Sequence, residues 1–468
     1  MKITTYQKAQ GYLEQFIRPT VFQRIEEDSE LPNPLDRMKK FLELLGNPQE
    51  GFRSILISGT SGKGSTAYLI SHILKTSGYK TGLTISPHLE KINERIQING
   101  KQISDKEFMN MVCSIVPTIE LLWKKYKIKP SYFEILIALA FLYFKKEKVD
   151  IAVVEVGLEG KFDATNVLNP LIFVLTNIDL DHTEILGNSV EEIAKEATEI
   201  INKNKELGIK NYGQKVVVTG VKQKSVIKIV EEKCKDAGVE LFRLGKDFSL
   251  LKNQNLSLRG EYQRENASIA VETVLKLKRF GFKIDEKNIR KALKTAFFPG
   301  RFEIVQIDSV LRLALLAQDK MSATLILDGA HNPSKMKAFI ESLTEFVGSK
   351  KNIFVVAFKK DKDIKSMLSE IFKIADVIII TQFKTATDVG KNSAMPVGNF
   401  KFSILNFQSK NKIKIFKIRD SKKALKKAFE VVEPEDLIVV TGSLYLVGEI
   451  RSYLTSRRFD FGSLQKEV

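Results

Sequence analysis

The sequence predicts an α/β protein in which a large N-terminal domain with a mostly parallel sheet precedes a smaller α/β domain. Short apolar runs alternate with helical stretches along most of the chain, and this alternation is typical of parallel sheets covered by helices. One apolar run, residues 55–58, continues directly into a glycine-rich turn that carries a lysine. A strand followed by such a turn and a helix is typical of nucleotide-binding domains.

The elements are predicted in chain order from apolar runs and their periodicity. In the first half, strands are predicted at 54–58, 80–85, 151–156, 171–176 and 215–219, and helices at 64–77, 105–125, 132–144 and 189–202. In the second half, strands are predicted at 324–327, 352–357, 377–381 and 437–441, and helices at 333–346, 362–374, 421–432 and 443–455. The polar stretches 387–403 and 409–414 are predicted to be loops.

The segment Phe-Phe-Pro-Gly-Arg at residues 297–301 separates the two halves. Proline and glycine interrupt regular structure, so this segment is predicted to be a hinge. The predicted domains are residues 1–297, which carry the nucleotide site, and residues 298–468. A chain of 468 residues is long enough for more than one hydrophobic core.

Composition excludes several classes of protein. The longest apolar run, residues 135–144, is far shorter than the roughly 20 residues that a membrane helix needs, and the N-terminus lacks the apolar core of a signal peptide. Cys113 and Cys234 have no metal-binding spacing, which favours a reducing cytoplasm. The net charge is +18, but lysines are spread from Lys2 to Lys466 without a basic arm. This spread is consistent with a lysine-rich composition that has no functional meaning, and otherwise it favours small anionic substrates over a nucleic-acid partner. No membrane partner is expected.

The glycine-rich turn after residue 58 is predicted to bind a polyphosphate, with ATP as the expected ligand. Glycines let backbone N–H groups turn toward phosphate oxygens, a lysine neutralises their charge, and a hydroxyl group can reach Mg²⁺. The residues predicted to bind it are Gly59, Thr60, Gly62, Lys63, Gly64 and Ser65. Ile57 stands where the strict P-loop pattern has glycine, so this loop is a shorter variant.

Three of the four histidines lie in compact polar motifs. His88, His182 and His331 each follow a predicted strand near its carboxyl end, where ligands bind in open α/β sheets. His72 is predicted to lie on the surface of the helix after the phosphate loop.

Glu155 ends an apolar strand, where an ionised carboxylate is costly unless a cation pairs with it. Mg²⁺ prefers oxygen ligands, so Ser65, Ser86 and Glu155 around nucleotide phosphates form a candidate magnesium site. A salt bridge between Glu155 and a lysine is the alternative.

Taken together, these motifs resemble the folylpolyglutamate synthase and dihydrofolate synthase family of the Mur ligase superfamily. The matching segments follow the family's order and extend over nearly the whole chain. They are residues 35–50, 59–65, 86–96, 132–134, 155–166, 181–187, 263–267, 299–301, 328–333, 361–363 and 441–448.

The resemblance implies a P-loop-type Mur ligase central domain and a Rossmann-like C-terminal domain. It also implies an ATP-dependent ligase that adds L-glutamate to the carboxylate of a folate or of dihydropteroate through an acyl phosphate. The cofactors would be ATP and one or two Mg²⁺ ions, and assistance by K⁺ is left open. The chain is expected to act on these small molecules as a monomer.

Residue roles follow from the same resemblance. The triphosphate would be held by Gly62, Lys63, Gly64 and Ser65. The nucleotide would be contacted by Asn266, Arg301, Asp328 and His331. The magnesium ligands would include Ser86, Glu155 and His182, and the catalytic residues would be Lys63, His182 and Arg301. The pterin would be bound by Tyr132, Phe133, Phe162, Asp163 and Ala164, although core packing is an alternative role for Phe133.

One departure from the family pattern concerns a second metal ion. The family has a lysine that becomes carbamylated where this chain has Ala197. Glu196 and Glu199 are the neighbouring carboxylates that could replace it. Three functions therefore stay open: the folate ligase, a Mur-type amide ligase acting on another carboxylate, and a non-catalytic nucleotide-binding homologue. The sequence does not distinguish dihydropteroate from reduced folates as the acceptor.

Overall fold

The computed structural model describes residues 3–17, 33–158, 160–202, 215–252, 256–307, 323–347, 351–385, 388, 390, 393–400, 413–433 and 435–456. Contacts divide the chain into two compact units. Unit 1 consists of Met1–Ser257 and Gln263–Ala296, and unit 2 consists of Leu258–Tyr262 and Phe297–Val468. Within the described ranges, no helix combines the length and apolar character needed to cross a membrane.

Unit 1 contains an eight-stranded sheet, counted over the described residues, with the order β4-β3-β2-β5-β1-β6-β7-β8. The strands are β1 Arg53–Ser58, β2 Thr81–Thr84, β3 Gln97–Ile98, β4 Lys101–Gln102, β5 Ile151–Glu155, β6 Ile172–Leu175, β7 Val216–Thr219 and β8 Glu240–Arg243. Strands β2, β5, β1, β6, β7 and β8 are parallel, while β3 and β4 add an antiparallel edge.

Helices accompany this sheet. They are α1 Tyr6–Glu14, α2 Pro34–Leu44, α3 Lys63–Thr76, α4 Asp105–Tyr126, α5 Tyr132–Lys146, α6 Thr183–Leu186, α7 Val190–Thr198, α8 Lys224–Ala237, α9 Glu261–Lys276 and α10 Glu286–Thr295. Short 3₁₀ turns lie at Pro48–Gly51, Ile92–Arg95, Ala164–Val167, Glu199–Asn202 and Leu277–Phe280.

Strand β1 is central because it pairs with β5 on one side and with β6 on the other. The register places Ile57 beside Glu155 and Ser58 beside Leu175. All three strands run in the same direction, so their carboxyl ends meet at one edge of the sheet. Their apolar residues are almost fully buried, as expected when helices cover both faces.

Helix α5 supplies much of the unit 1 core, since ten of its residues are buried. Its start is fixed by a capping box, in which the Ser131 hydroxyl accepts from the Glu134 N–H and the Glu134 carboxylate accepts from the Ser131 N–H. The same carboxylate forms a buried ion pair with Arg37 of α2, with Nη2 and Oε1 2.9 Å apart. The first turn of α5 is therefore held by both local and long-range polar contacts.

Unit 2 contains a six-stranded sheet over its described residues, with the order β13-β12-β11-β14-β10-β9. The strands are β9 Glu303–Ile307, β10 Ala323–Leu327, β11 Asn352–Val356, β12 Val377–Gln382, β13 Lys414–Asp420 and β14 Leu437–Thr441. Only β9 is antiparallel to its neighbour within these strands. The helices are α11 Pro333–Val347, α12 Ile364–Ile371, α13 Ser421–Val431 and α14 Leu444–Ser456. A buried ion pair joins Glu303 to Arg451, with Nε and Oε1 3.1 Å apart.

The predicted α/β fold class is confirmed. The predicted strands and helices agree with the structure to within three residues at each end, with one exception. The helix predicted at 189–202 ends at Thr198, where α7 ends and a 3₁₀ turn follows. Several elements were not predicted: α1, α2, α6, α8, α9, α10, β3, β4, β8, β9 and β13. The loop predicted at 409–414 reaches into β13, and its residues 409–412 lie outside the described part, as do several residues of 387–403.

His72 lies on α3, as predicted, but its side chain is only partly exposed. Its ring stacks on Tyr68, with centroids 5.6 Å apart, and its Nε2 lies 3.0 Å from the Thr295 hydroxyl of α10. Helix α10, which was not predicted, covers this side of α3. Burial, with a smaller contribution from Lys75, lowers the pKa of His72 to about 4.

This lowered pKa predicts acid sensitivity of the fold. Above the ordinary pKa of 6.5 the ring is neutral in both folded and unfolded chains. As the pH falls from 6.5 toward 4, only the unfolded chain gains the proton, so the free energy of unfolding decreases. We expect His72→Gln to remove this contribution, about 1 kcal/mol between pH 7 and pH 5 for a partly exposed ring. Urea unfolding at both pH values measures it, and an equal pH response in variant and wild type would contradict the assignment.

Candidate active site

The turn after β1 requires glycine at position 59. Gly59 has a φ of 125°, and a Cβ there would lie 2.1 Å from the Thr176 hydroxyl and 2.8 Å from the Asn177 carbonyl oxygen. Both neighbours follow β6, so the loop after β1 packs directly on the loop after β6. A side chain at position 59 would force these two backbones apart.

Asn177 and Thr176 hold the turn in this position. The Asn177 carbonyl accepts from the Thr60 N–H at 3.1 Å, and its side-chain oxygen accepts from the Ser61 N–H at 2.8 Å. The Thr176 hydroxyl donates to the Ser61 carbonyl at 2.6 Å. Thr60 adds a contact to the backbone of Asp179, whose N–H donates to its hydroxyl at 3.0 Å. The turn is therefore ordered by neighbouring protein groups.

Lys63 begins α3, and its ammonium donates to the Gly59 carbonyl at 2.6 Å. The amine thus lies over the turn, beside the N-terminal N–H groups of α3, which form an anion-binding site in helices of this kind. A Cβ on Gly62 would lie 2.2 Å from Oδ1 of Asn266, which shows how closely α9 approaches the turn. The cation, the helix terminus and the glycine turn are brought together as the sequence predicts.

Ser65 is buried on α3, and its hydroxyl accepts from Nε2 of Gln263 at 3.3 Å. Nδ2 of Asn266 in turn donates to the side-chain oxygen Oε1 of Gln263 at 3.1 Å. Gln263, which had no predicted role, therefore connects two predicted site residues. Its position on a helix far along the chain gives no local signal of this contact.

Ser86 and Glu155 are also brought together. The Ser86 N–H donates to Oε2 of Glu155 at 2.8 Å, and Glu155 is only 5% exposed. His182 lies at the start of α6 with a φ of 50° and an exposed side chain. Over the described chain, no three His, Cys, Asp or Glu side chains are grouped to hold a metal. A magnesium site here would depend on hydroxyl and nucleotide oxygens as well as Glu155.

The residues predicted to bind a pterin lie in two adjacent segments. Phe133 packs against Gly157, where a Cβ would be 2.2 Å from its ring. Phe162 is 46% exposed, and Ala164 is buried at the start of a 3₁₀ turn. Tyr132 is also buried at the start of α5, and its ring lies 5.7 Å from the Arg95 guanidinium.

Asp163 is buried and heavily hydrogen bonded. Its carboxylate accepts from the N–H groups of Leu158 and Thr165, both at 2.9 Å, and from the Thr165 hydroxyl at 2.5 Å. Burial raises the pKa of Asp163, and these hydrogen bonds oppose the rise. The described bonds give Asp163 a role in shaping the loop between β5 and the 3₁₀ turn.

The two carboxylates near Ala197, those of Glu196 and Glu199, have different partners. Ala197 is 4% exposed and packs in the unit 1 core. Glu199 forms an ion pair with Lys233 of α8. Glu196 accepts from the Lys161 N–H at 3.4 Å, in the loop that leads to Asp163. Of the two glutamates, Glu196 is the one that contacts the loop of the candidate site.

Within unit 2, Asp328 follows β10 and is 4% exposed. Its carboxylate accepts from the N–H groups of Phe302 and Ala330, both at 2.8 Å, and from the Tyr262 hydroxyl at 3.1 Å. Burial raises the pKa of Asp328, while the Arg301 guanidinium opposes the rise. Burial and the nearby Asp328 raise the pKa of Tyr262 well above its usual value.

Arg301 and His331 lie near Asp328 in unit 2. Arg301 donates to the Gly300 carbonyl at 3.2 Å, and a Cβ on Gly329 would lie 2.7 Å from its Nη1. His331 bonds through Nδ1 to the Gly329 carbonyl at 2.7 Å, with the Lys335 amine 3.2 Å from its Nε2. Unit 2 thus groups its three predicted nucleotide residues around one strand end.

Comparison with known proteins finds likeness along most of the chain. The Mur ligase middle domain family matches residues 57–274, and the family described as dihydrofolate synthetase, C-terminal domain, matches residues 311–454. The dihydrofolate synthase/folylpolyglutamate synthase of Bacillus subtilis is 31% identical over 445 residues, which are 90% of this chain and 94% of that protein. The dihydrofolate synthetase of Saccharomyces cerevisiae is 31% identical over 438 residues, 89% of this chain and 96% of that protein.

Solved structures share the fold. The Mycobacterium tuberculosis folylpolyglutamate synthase complexed with ADP matches with a TM-score of 0.81 and 26% identity, covering 96% of this chain and 98% of that chain. The folylpolyglutamate synthase of Thermotoga maritima matches with a TM-score of 0.75 and 30% identity, covering 98% of this chain and 99% of that chain.

The tight contact at Gly59 predicts the effect of adding one methyl group. We expect Gly59→Ala to lower the free energy of unfolding by more than about 2 kcal/mol and to weaken ATP binding at least tenfold, because the Cβ displaces the loop after β6. Gly78→Ala is the matched control, since Gly78 also has a positive φ of 93° but open space around it. That change should cost only about 1 kcal/mol. Calorimetric titration with an ATP analogue and urea unfolding measure both effects, and equal losses in the two variants would contradict the steric argument.

Proposed function

Because the chain belongs to the dihydrofolate synthase and folylpolyglutamate synthase family, we propose that it is an ATP-dependent ligase that joins L-glutamate to the carboxylate of a folate or of dihydropteroate. The observation that carries this proposal is the 31% identity to a dihydrofolate synthase/folylpolyglutamate synthase over 90% of the chain. The glycine turn with Lys63 over it supports the use of ATP. Of the three functions left open by the sequence, the comparisons support this one.

The reaction needs a phosphoryl group to move from ATP to the acceptor carboxylate, after which the amine of glutamate attacks the acyl phosphate. Phosphoryl transfer depends chiefly on in-line positioning and on cations near the transferred oxygens. In unit 1, the α3 terminus and the turn 59–62 would bind the phosphates. Lys63 would exchange the Gly59 carbonyl for a phosphate oxygen and neutralise part of its charge.

Mg²⁺ fits the donor set of unit 1, because buried hydroxyl and carboxylate oxygens suit this ion. Ser65, Ser86 and Glu155 would hold it, and His182 stays a predicted ligand. When bound, the ion would neutralise charge on the phosphate oxygens. The bond from the Ser86 N–H to Glu155 supports this proposal, because it brings two of the proposed ligand residues together.

The remaining roles rest on the family resemblance. Arg301, Asp328 and His331 would contact the nucleotide, with Asp328 oriented by its three bonds within unit 2. Tyr132, Phe133 and Phe162 would contact the flat ring of the acceptor. Action as a monomer and a cytoplasmic location stay predictions, as does assistance by K⁺.

Lys63 provides the direct test of the phosphate site. We expect Lys63→Ala to reduce turnover below about a tenth of the wild-type rate, a barrier increase above ~1.4 kcal/mol, because the cation over the turn is lost. Lys75→Ala, on the exposed last turn of the same helix, should keep the wild-type rate. Phosphate release from ATP with glutamate and either acceptor gives the rates. If Lys63→Ala retained more than a tenth of the activity, the turn would not be the ATP site.

The two glutamates beside Ala197 provide a second test. Since Glu196 contacts the loop that leads to Asp163, we expect Glu196→Gln to lower turnover at least tenfold and to raise the Mg²⁺ concentration required. Glu199→Gln is the control, because Glu199 pairs with Lys233 instead and should change turnover less than about twofold. Magnesium titrations of the ligation rate distinguish the two variants. Unchanged titrations for Glu196→Gln would show that this carboxylate has no part in metal binding.

A further inference from the structure

A buried arginine holds a histidine that the proposed mechanism does not use. Nε of Arg95 donates to Nδ1 of His88 at 2.9 Å. Arg95 is only 2% exposed, whereas His88 is partly exposed in the loop that follows β2. A guanidinium buried in this way is costly unless hydrogen bonds or opposite charges compensate for its lost hydration.

The bond fixes the tautomer of His88. Arginine stays protonated at any physiological pH and can only donate. Nδ1 of His88 must therefore accept, which places the proton of the neutral ring on Nε2. The ring then presents a neutral N–H donor on the side opposite Arg95.

The loop around His88 is ordered by further hydrogen bonds. The carboxylate of Glu94 accepts from the N–H groups of Leu89, Glu90 and Lys91 at 2.7 to 2.8 Å. The side chain of Asn93 donates to the Ile103 carbonyl at 2.7 Å and accepts from the Tyr6 hydroxyl of α1. These contacts hold both Arg95 and His88 in place before any ligand binds, as an effective donor in a site requires.

The position of His88 indicates what it would contact. Two residues before it, Ser86 contacts Glu155 at the candidate magnesium site. The Arg95 guanidinium, which bonds to His88, lies 5.7 Å from the ring of Tyr132, a predicted acceptor residue. His88 is therefore close in the chain to a group assigned to the metal and shares its partner Arg95 with a group assigned to the acceptor.

We propose that His88 contacts the acceptor substrate, with its Nε2–H donating to an oxygen of the carboxylate that receives the phosphoryl group, and that Arg95 is a positioning residue that fixes this tautomer. The inference rests on the proposed ligase function. A neutral donor at this point would orient the carboxylate through one oxygen while the other attacks the phosphorus, and it adds no charge beside the cations that hold the triphosphate.

Two conservative variants distinguish the roles of the two ring nitrogens of His88. In His88→Gln, the side-chain NH₂ replaces the Nε2–H donor. In His88→Asn, the side-chain oxygen replaces the Nδ1 acceptor, and the donor at the Nε2 position is lost. We expect His88→Asn to lower kcat about 100-fold with an unchanged KM for ATP, and His88→Gln to stay within about fivefold of wild type. His72→Gln, which alters a histidine outside the site, should leave kcat unchanged. Equal losses in His88→Gln and His88→Asn, or wild-type rates in both, would overturn the proposal.

Nitrogen-15 spectra of histidine-labelled protein test the tautomer without an activity assay. The resonances of His88, assigned from their loss in His88→Asn, should show protonated Nε2 and unprotonated Nδ1. Arg95→Lys should mix the tautomers while circular dichroism shows the chain folded; if that variant does not fold, the wild-type spectrum alone decides. A proton on Nδ1 would refute the His88 inference and leave the proposed function standing. A wild-type protein that ligates neither acceptor would refute the proposed function and the acceptor contact with it.

Discussion

The candidate site of unit 1 depends on one constraint, the placement of β1 between two parallel strands. Because β5 and β6 flank it in register, the loops that follow all three strands emerge at the same edge. Gly59 then lets the first loop lie against Thr176 and Asn177 without a side chain between them. The position of Lys63 and the orientation of Glu155 both follow from this arrangement, since each is attached to the end of one of these strands.

The sequence predicts those parts of the molecule that local patterns encode. Strand and helix alternation and the glycine turn each occupy a short stretch, so their positions were predicted closely. The contacts of Asn177, Gln263 and Arg95 were not predicted, because their partners are distant along the chain and no local pattern marks them. Helices such as α1 and α10 were missed for a related reason: their apolar faces are short and are recognisable only against the helices they cover.

Buried charges in this protein are used to fix positions. Arg37 and Glu134 are each only 4% exposed in their side chains, and such a pair contributes little net stability once desolvation is counted. Glu134 also completes the capping box of α5, so the pair fixes where that helix starts and how it meets α2. Tyr132 and Phe133 precede Glu134 directly, so this contact also determines their positions. The net charge of +18 comes instead from lysines spread over the sequence.

If the turn binds phosphate as proposed, the contact between the Lys63 ammonium and the Gly59 carbonyl makes that binding an exchange of hydrogen-bond partners. A ligand must offer the amine a better acceptor than a peptide oxygen, which a phosphate does because charge-assisted bonds are about twice as strong as neutral ones. An uncharged nucleoside offers no such acceptor, so the proposed site would favour phosphorylated compounds. Once the nucleotide leaves, the Gly59 carbonyl would again accept from the ammonium, so product release would restore the original contact.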